Sequence, residues 1–107
     1  MNARRKRYTL YKKVKVIYRK DNGGNILAFF PELSANYGNI VCYQHTGQHG
    51  EASTDYYMND TEKATPNEYK ELHKELKSIY HDAELSIKQR LYYSDLTEKA
   101  WRIKEEK

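Results

Sequence analysis

Two histidines stand four residues apart in a segment that glycines interrupt. His45 and His49 lie within residues 43–50, where Gly47 and Gly50 also occur. On a helix this spacing would place both imidazoles on one face, which suits a zinc ion, but the glycines disfavour a helix. Three roles are therefore open for the pair: ligands of a metal, hydrogen-bonding groups that pack within the loop, or contacts to a bound molecule.

We predict the third role, with no metal and no cofactor, because the same segment carries neutral hydrogen-bonding side chains beside an aromatic ring. Backbone amides next to glycines can approach a phosphate closely, and neutral donors suit a base or a sugar. The segment matches neither the P-loop nor the dinucleotide fingerprint. The predicted ligand-binding residues are Tyr43, Gln44, His45, Thr46, Gln48 and His49.

Positive charge is concentrated at the N-terminal end of the chain. Residues 1–20 hold nine Lys and Arg and no acid, whereas residues 21–62 hold six acids and no Lys or Arg. The net charge of +4 therefore hides a basic arm on a nearly neutral or acidic body. A terminal basic run often only aids solubility, but cations with tyrosines among them are also the composition of a nucleic-acid contact. Both roles are open, and no known nucleic-acid-binding motif accompanies the arm. The predicted phosphate or nucleic-acid contacts are Arg4, Arg5, Lys6, Arg7, Lys13, Lys15 and Arg19.

Catalysis has little support in the spacing of reactive residues. Cys42 and His45 are three residues apart at the end of a strand pattern, which places them on opposite faces. Ser53 follows His49 without a third group to orient the pair. We therefore expect a binding protein rather than an enzyme. The single cysteine excludes an internal disulfide and fits a reducing compartment.

Alternating apolar residues predict a hairpin at the start of the fold. Residues 13–20 form a strand with a cationic outer face, and Asp21–Asn25 is a turn rich in Asn and Gly. Ile26–Phe30 forms a more buried strand that Pro31 ends, and Ile40–Gln44 is a third strand.

The second half of the chain predicts helices. Thr65–Glu68 has the pattern of a capping box with Pro at the first helical position, and apolar residues at helical spacing continue to Tyr80. We expect residues 51–64 to form an ordered but irregular connection with room for a short strand. Residues 85–91 predict a fourth strand of unknown position in the sheet, and residues from 94 to about 106 a final helix.

These elements predict an α+β fold, a small antiparallel or mixed sheet of order β-β-β-α-β with one amphipathic helix on a face and a C-terminal helix. The predicted organisation is a flexible basic arm over 1–12, a domain over 13–92 and a helix over 93–107. Only 19 of the 107 residues are Leu, Ile, Val or Phe, so some of the 11 tyrosines must complete the core. Because that core is thin, we expect a homo-oligomer. No apolar run approaches the roughly 20 residues of a membrane span.

Four stretches of the sequence resemble a family of short proteins that bacteriophages and mobile elements encode. These stretches are VIYRK at Val16–Lys20, ILAFFPE at Ile26–Glu32, YQHTGQHG at Tyr43–Gly50 and ATPNEY at Ala64–Tyr69. The resemblance spans about residues 14–91 and brings no functional residues to transfer. It implies an accessory protein in the cytoplasm of a bacterial host, a setting in which small proteins often counter host defence.

We predict a non-enzymatic accessory protein that binds a nucleotide or similar phosphate-bearing ligand and counters defence by sequestering it. One alternative is a nucleic-acid-binding protein that uses the basic N-terminal arm. Another is an inhibitor that docks on a bacterial defence protein, with the acidic residues of 51–62 mimicking nucleic acid.

Overall fold

A computed structural model of the chain describes residues 12–33, 35–44 and 48–91. The predicted basic arm, apart from its last residue, and the predicted C-terminal helix lie outside these ranges. The elements in chain order are β1 (Lys12–Asp21), β2 (Ile26–Phe30), β3 (Asn39–Tyr43), β4 (Gly50–Ser53), α1 (Thr54–Asp60), β5 (Thr61–Lys63), α2 (Pro66–Ile79) and β6 (Ala83–Lys88).

The ten-residue strand β1 organises the sheet, whose order is β4-β3-β2-β1-β5 with β6 also paired to β1. On one side β1 pairs antiparallel with β2, in a register that starts at Ile17 opposite Phe29. Its other side is divided between two strands. The parallel strand β6 takes the first half, and the antiparallel strand β5 takes the last three residues. The predicted α+β class is therefore confirmed, and of the two kinds of sheet that the sequence left open, antiparallel or mixed, the structure has the mixed one.

The turn between β1 and β2 is held by Asp21. Its Oδ1 accepts hydrogen bonds of 2.9 Å from the backbone amides of Gly23 and Asn25. Gly24 has a φ of 87°, in the left-handed region that glycine tolerates best. The predicted hairpin is confirmed with the predicted turn residues in place.

Helix α2 covers one face of the sheet, as predicted. The Thr65 hydroxyl accepts from the amide of Glu68 at 3.3 Å, and the Glu68 carboxylate accepts from the amide of Thr65 at 2.9 Å, which completes the predicted capping box. The core beneath the helix contains Val14, Val16, Tyr18, Ala28, Phe30, Tyr43, Leu72 and Leu76. Aromatic rings therefore share this core with few aliphatic side chains.

The opposite face of the sheet is covered as well, by α1. This helix begins after Ser53, whose hydroxyl accepts from the amide of Tyr56 at 3.0 Å. Tyr57 brings its ring edge-on to Phe29, with 5.1 Å between ring centroids. The second core contains Ile17, Leu27, Phe29, Ile40 and Tyr57.

The predicted element order is therefore wrong in its middle. It is correct for the first three strands and for the helix and strand that follow residue 64, while the predicted C-terminal helix lies outside the described residues. Residues 51–64 are not an irregular connection, because β4, α1 and β5 fall within or across them. The short strand that the sequence allowed there is present, the helix was not expected, and the observed order is β-β-β-β-α-β-α-β. The physical reason is that Ile17 and Phe29 point away from α2 and need a cover of their own. The outer face of β1 is accordingly only partly cationic, since Ile17 is buried in it.

The last strand also differs from its predicted bounds. It covers Ala83–Lys88 rather than 85–91, and it runs parallel to β1 from Ala83 opposite Lys12 to Lys88 opposite Ile17. Its position depends on a pairing between residues that are distant in sequence, which the local alternation of Leu85 and Ile87 does not specify.

Candidate ligand-binding site

The predicted ligand-binding segment joins β3 to β4 at one end of the sheet. Its described residues are Tyr43, Gln44, Gln48 and His49. Gln44 is half-buried and Gln48 is exposed, so both lie at the surface of this hairpin. His45 and Thr46 lie outside the described residues, and their contacts to a ligand stay a prediction.

The structure brings two of the predicted residues, Tyr43 and His49, together in an aromatic cluster. The centroid of the His49 ring lies 5.1 Å from that of Tyr43 and 5.3 Å from that of Phe30. The Nε2 atom of His49 lies 2.7 Å from the Tyr80 hydroxyl oxygen. Tyr43 is buried, and its hydroxyl donates to Glu75 on α2. Burial lowers the pKa of His49, which favours its neutral imidazole. Both residues therefore anchor the base of the loop to α2.

Arg19, a predicted phosphate contact, is engaged inside the domain. Its guanidinium lies over the Tyr57 ring at 4.5 Å, and its Nε donates to the Thr61 hydroxyl at 2.9 Å. A second guanidinium nitrogen donates to the carbonyl of Thr61 at 2.8 Å. These contacts hold α1 and β5 against β1. Within the described part of the chain, Arg19 therefore has a structural role.

Lys13 and Lys15, two further predicted phosphate contacts, line a cavity with a volume of about 370 Å³. The six wall residues that bear on its chemistry are Lys13, Lys15, Glu32, Leu33, Tyr80 and Asp82. Lys15 Nζ lies 3.6 Å from Glu32 Oε2. The remaining predicted cationic contacts, Arg4, Arg5, Lys6 and Arg7, lie outside the described residues.

The cavity follows from a mismatch of strand lengths. β1 has ten residues and β2 has five, and the chain leaves the sheet at Pro31 immediately after β2. The first half of β1 therefore keeps β6 on one side and meets the turn around Glu32 and Leu33 on the other. The turn from α2 to β6, from Tyr80 to Ala83, closes the cavity from the helix-covered face.

Tyr80 belongs both to the cavity wall and to the His49 cluster. The sequence placed it at the end of an apolar helical stripe, where a core role is the ordinary expectation. In the structure it is the residue that ends α2, with its amide bonded to the carbonyl of Leu76 at 2.8 Å. Sequence reasoning missed its second role, and it missed Glu32 and Asp82, because both acids come from turns that only the tertiary fold brings together.

Other reactive groups in the described ranges form no comparable site. No group of three or more His, Cys, Asp or Glu among the described residues is placed to hold a metal ion. Burial raises the pKa of the Cys42 thiol, which disfavours the reactive thiolate. A second and more open depression, of about 460 Å³, lies by the β1–β2 turn and is lined by Asp21, Asp60 and Glu62 among others.

Comparison with family models, with curated proteins and with solved structures finds no match to this chain. Within the described ranges, no helix is long and apolar enough to cross a membrane.

Proposed function

We propose that the protein is a non-enzymatic binder of a nucleotide or similar phosphate-bearing molecule, and that the cavity beside Lys13 and Lys15 holds it. The observation that carries this proposal is that two lysines and an aromatic residue, Tyr80, line one cavity. Lysine ammonium groups bind phosphate as compact charges, and an aromatic ring provides a stacking surface for a base. The volume of about 370 Å³ falls in the range of small-molecule sites, about 300–1,000 Å³.

In this proposal the loop between β3 and β4 acts through Tyr80. His49 Nε2 lies 2.7 Å from the Tyr80 hydroxyl, and Phe30 packs against both rings, with centroids 5.3 and 5.6 Å away. These contacts restrict the Tyr80 ring before a ligand arrives, which reduces the entropy that binding must remove. His49 is then a positioning residue for the stacking surface.

The resemblance described above supplies the biological setting of the proposal. A small protein of a phage or mobile element that holds a nucleotide signal in the bacterial cytoplasm would lower its free concentration and so counter a defence response. This use needs tight binding and no chemical step. The predicted homo-oligomer and the nucleic-acid contacts of residues 1–12 stay predictions.

The test starts with the full chain purified natively at low salt. The protein is denatured, and the supernatant is analysed by anion-exchange chromatography for released nucleotides. Calorimetric titration then measures the affinity for the four ribonucleoside monophosphates, and a nucleotide bound at one per chain is the expected result.

A pair of lysine variants locates the binding. Lys13→Ala should weaken binding by about tenfold to a hundredfold, because a charged hydrogen bond contributes roughly 1.5–3 kcal/mol. Lys70→Ala, which removes an exposed lysine of α2 outside the cavity, is the matched control. Equal affinities of the two variants would place the ligand elsewhere and contradict the proposal.

A further inference from the structure

The cavity holds as many carboxylates as lysines. Glu32 and Asp82 line it together with Lys13 and Lys15, so the formal charges of the described lining cancel. Lys15 Nζ is already 3.6 Å from Glu32 Oε2. Glu84 adds a further carboxylate close by, since it is the register partner of Lys13 on β6.

From this balance we infer that the site selects a ribonucleoside monophosphate over di- and triphosphates. The inference rests on the proposed function and names its ligand class. Lys13 and Lys15 meet one phosphate group, and the Tyr80 ring stacks on the base. Glu32 and Asp82 accept hydrogen bonds from the ribose hydroxyls, because an ionised carboxylate is an acceptor only and needs a donor from the ligand.

The same carboxylates act against a polyphosphate. Every phosphate beyond the first adds negative charge that the two lysines do not match, and this charge lies near Glu32 and Asp82. Like charges at short range repel more strongly in a partly enclosed site than in bulk water. A triphosphate must therefore leave its outer phosphates in solvent or accept this repulsion.

Glu32 is the residue that sets this selectivity. It follows Pro31, the residue at which the chain leaves the sheet, and its carboxylate forms an ion pair with Lys15. A phosphate that binds Lys15 must compete with that carboxylate. Removing the charge of Glu32 releases Lys15 from the pair and removes one source of repulsion, so the variant should accept polyphosphates more readily.

The experiment compares five ligands on the full-length protein by calorimetric titration. These are the nucleoside, its 5′-monophosphate, the 2′-deoxy monophosphate, the diphosphate and the triphosphate, all with the base preferred in the monophosphate titrations. We expect the monophosphate to bind about tenfold or more tighter than each of the others, a preference of about 1.4 kcal/mol.

Three variants test the residues. Glu32→Gln should reduce the ratio of monophosphate affinity to triphosphate affinity by about tenfold, which corresponds to about 1.4 kcal/mol. Asp82→Asn should reduce the preference for the ribose over the deoxyribose form. Glu71→Gln removes an exposed carboxylate of α2 outside the cavity and is the control. Thermal melts confirm that each variant is folded.

The outcomes distinguish a failure of nucleotide binding from a failure of the charge selectivity. If wild-type protein binds none of the five ligands, the proposed function fails and this inference fails with it. If the triphosphate binds as tightly as the monophosphate, or Glu32→Gln leaves the ratio unchanged in a folded protein, the charge selectivity is wrong while nucleotide binding stands. The inference is supported if the ratio of monophosphate to triphosphate affinity falls in Glu32→Gln and stays at the wild-type value in Glu71→Gln.

Discussion

The Tyr80 hydroxyl lies 2.7 Å from Nε2 of His49, a contact that joins the end of α2 to the residue before β4. The two residues are 31 positions apart in sequence. Because Tyr80 also lines the cavity beside Lys13 and Lys15, the predicted ligand-binding loop and the cavity meet at one side chain. A change at either end of this hydrogen bond should therefore be felt at the other.

Two substitutions at Tyr80 should distinguish the contribution of its hydroxyl from the contribution of its ring. Tyr80→Phe keeps the ring and loses the contact to His49, so the free energy of unfolding should fall by about 1 kcal/mol. Nucleotide affinity should fall only a few-fold in Tyr80→Phe, whereas Tyr80→Leu should lose the stacking contribution of about 1–3 kcal/mol. Tyr69→Phe on the same helix is the control. Equal ligand affinity in Tyr80→Leu and wild type would show that the Tyr80 ring does not contact the ligand.

The packing of α2 on the sheet can be tested at its centre. Leu76 is fully buried, and Leu76→Ala should lower the free energy of unfolding by about 2–5 kcal/mol through lost apolar contacts and the cavity left behind. Ile79→Ala, on the same helix but 43% exposed, should have a much smaller effect. Urea denaturation of the two variants measures the difference. Similar midpoints would mean that α2 does not depend on Leu76 for its attachment.

The parts of the fold that the sequence predicted are those that local chemistry determines. The capping box of Thr65 and Glu68 uses residues three apart, and the Asp21 turn uses residues two to four apart. Helix α1 was missed because its segment is polar apart from Tyr56, Tyr57 and Met58. It forms because the second face of the sheet, around Phe29, needs a cover. Burial of Tyr57 against that face is a tertiary effect.

The candidate site shows the same limit. Lys13, Lys15 and His49 were named from residue type and spacing, and two of the three line the cavity. Glu32 and Asp82 carried no signal, because each is an isolated acid in a turn. They come close to the lysines because β1 extends beyond the end of β2 and because β6 pairs parallel with β1.

The turn between β1 and β2 should require a glycine at one position only. Gly24 has a φ of 87°, and a Cβ there would meet no atom within 4 Å. Gly24→Ala should therefore destabilise the protein through backbone strain alone, by about 1–2 kcal/mol. Gly50→Ala is the control, since a Cβ at Gly50 also meets nothing within 4 Å and its φ lies outside the positive region. Thermal melts of the pair measure the strain, and equal melting temperatures would contradict it.

Stability should fall as the pH drops through the range in which histidines titrate. Burial lowers the pKa values of His49 and His73, and Lys77 lowers that of His73 further. The unfolded chain takes up protons near the ordinary value of about 6.5, while the folded protein keeps both rings neutral to lower pH. The unfolded state then binds more protons, so the stabilisation present above about pH 6.5 is lost as the pH falls through the folded values.

Two histidine variants and one control measure this effect by urea denaturation between pH 7.5 and pH 5. His49→Gln removes the partner of Tyr80, and His73→Gln removes a ring whose Nδ1 lies 2.7 Å from the buried Tyr18 hydroxyl. Each variant should be less stable than wild type at pH 7.5 and should lose less stability on acidification. Gln89→Ala, at an exposed side chain that does not titrate, should keep the wild-type slope. A wild-type slope in both His49→Gln and His73→Gln would show that neither ring is held neutral by its surroundings.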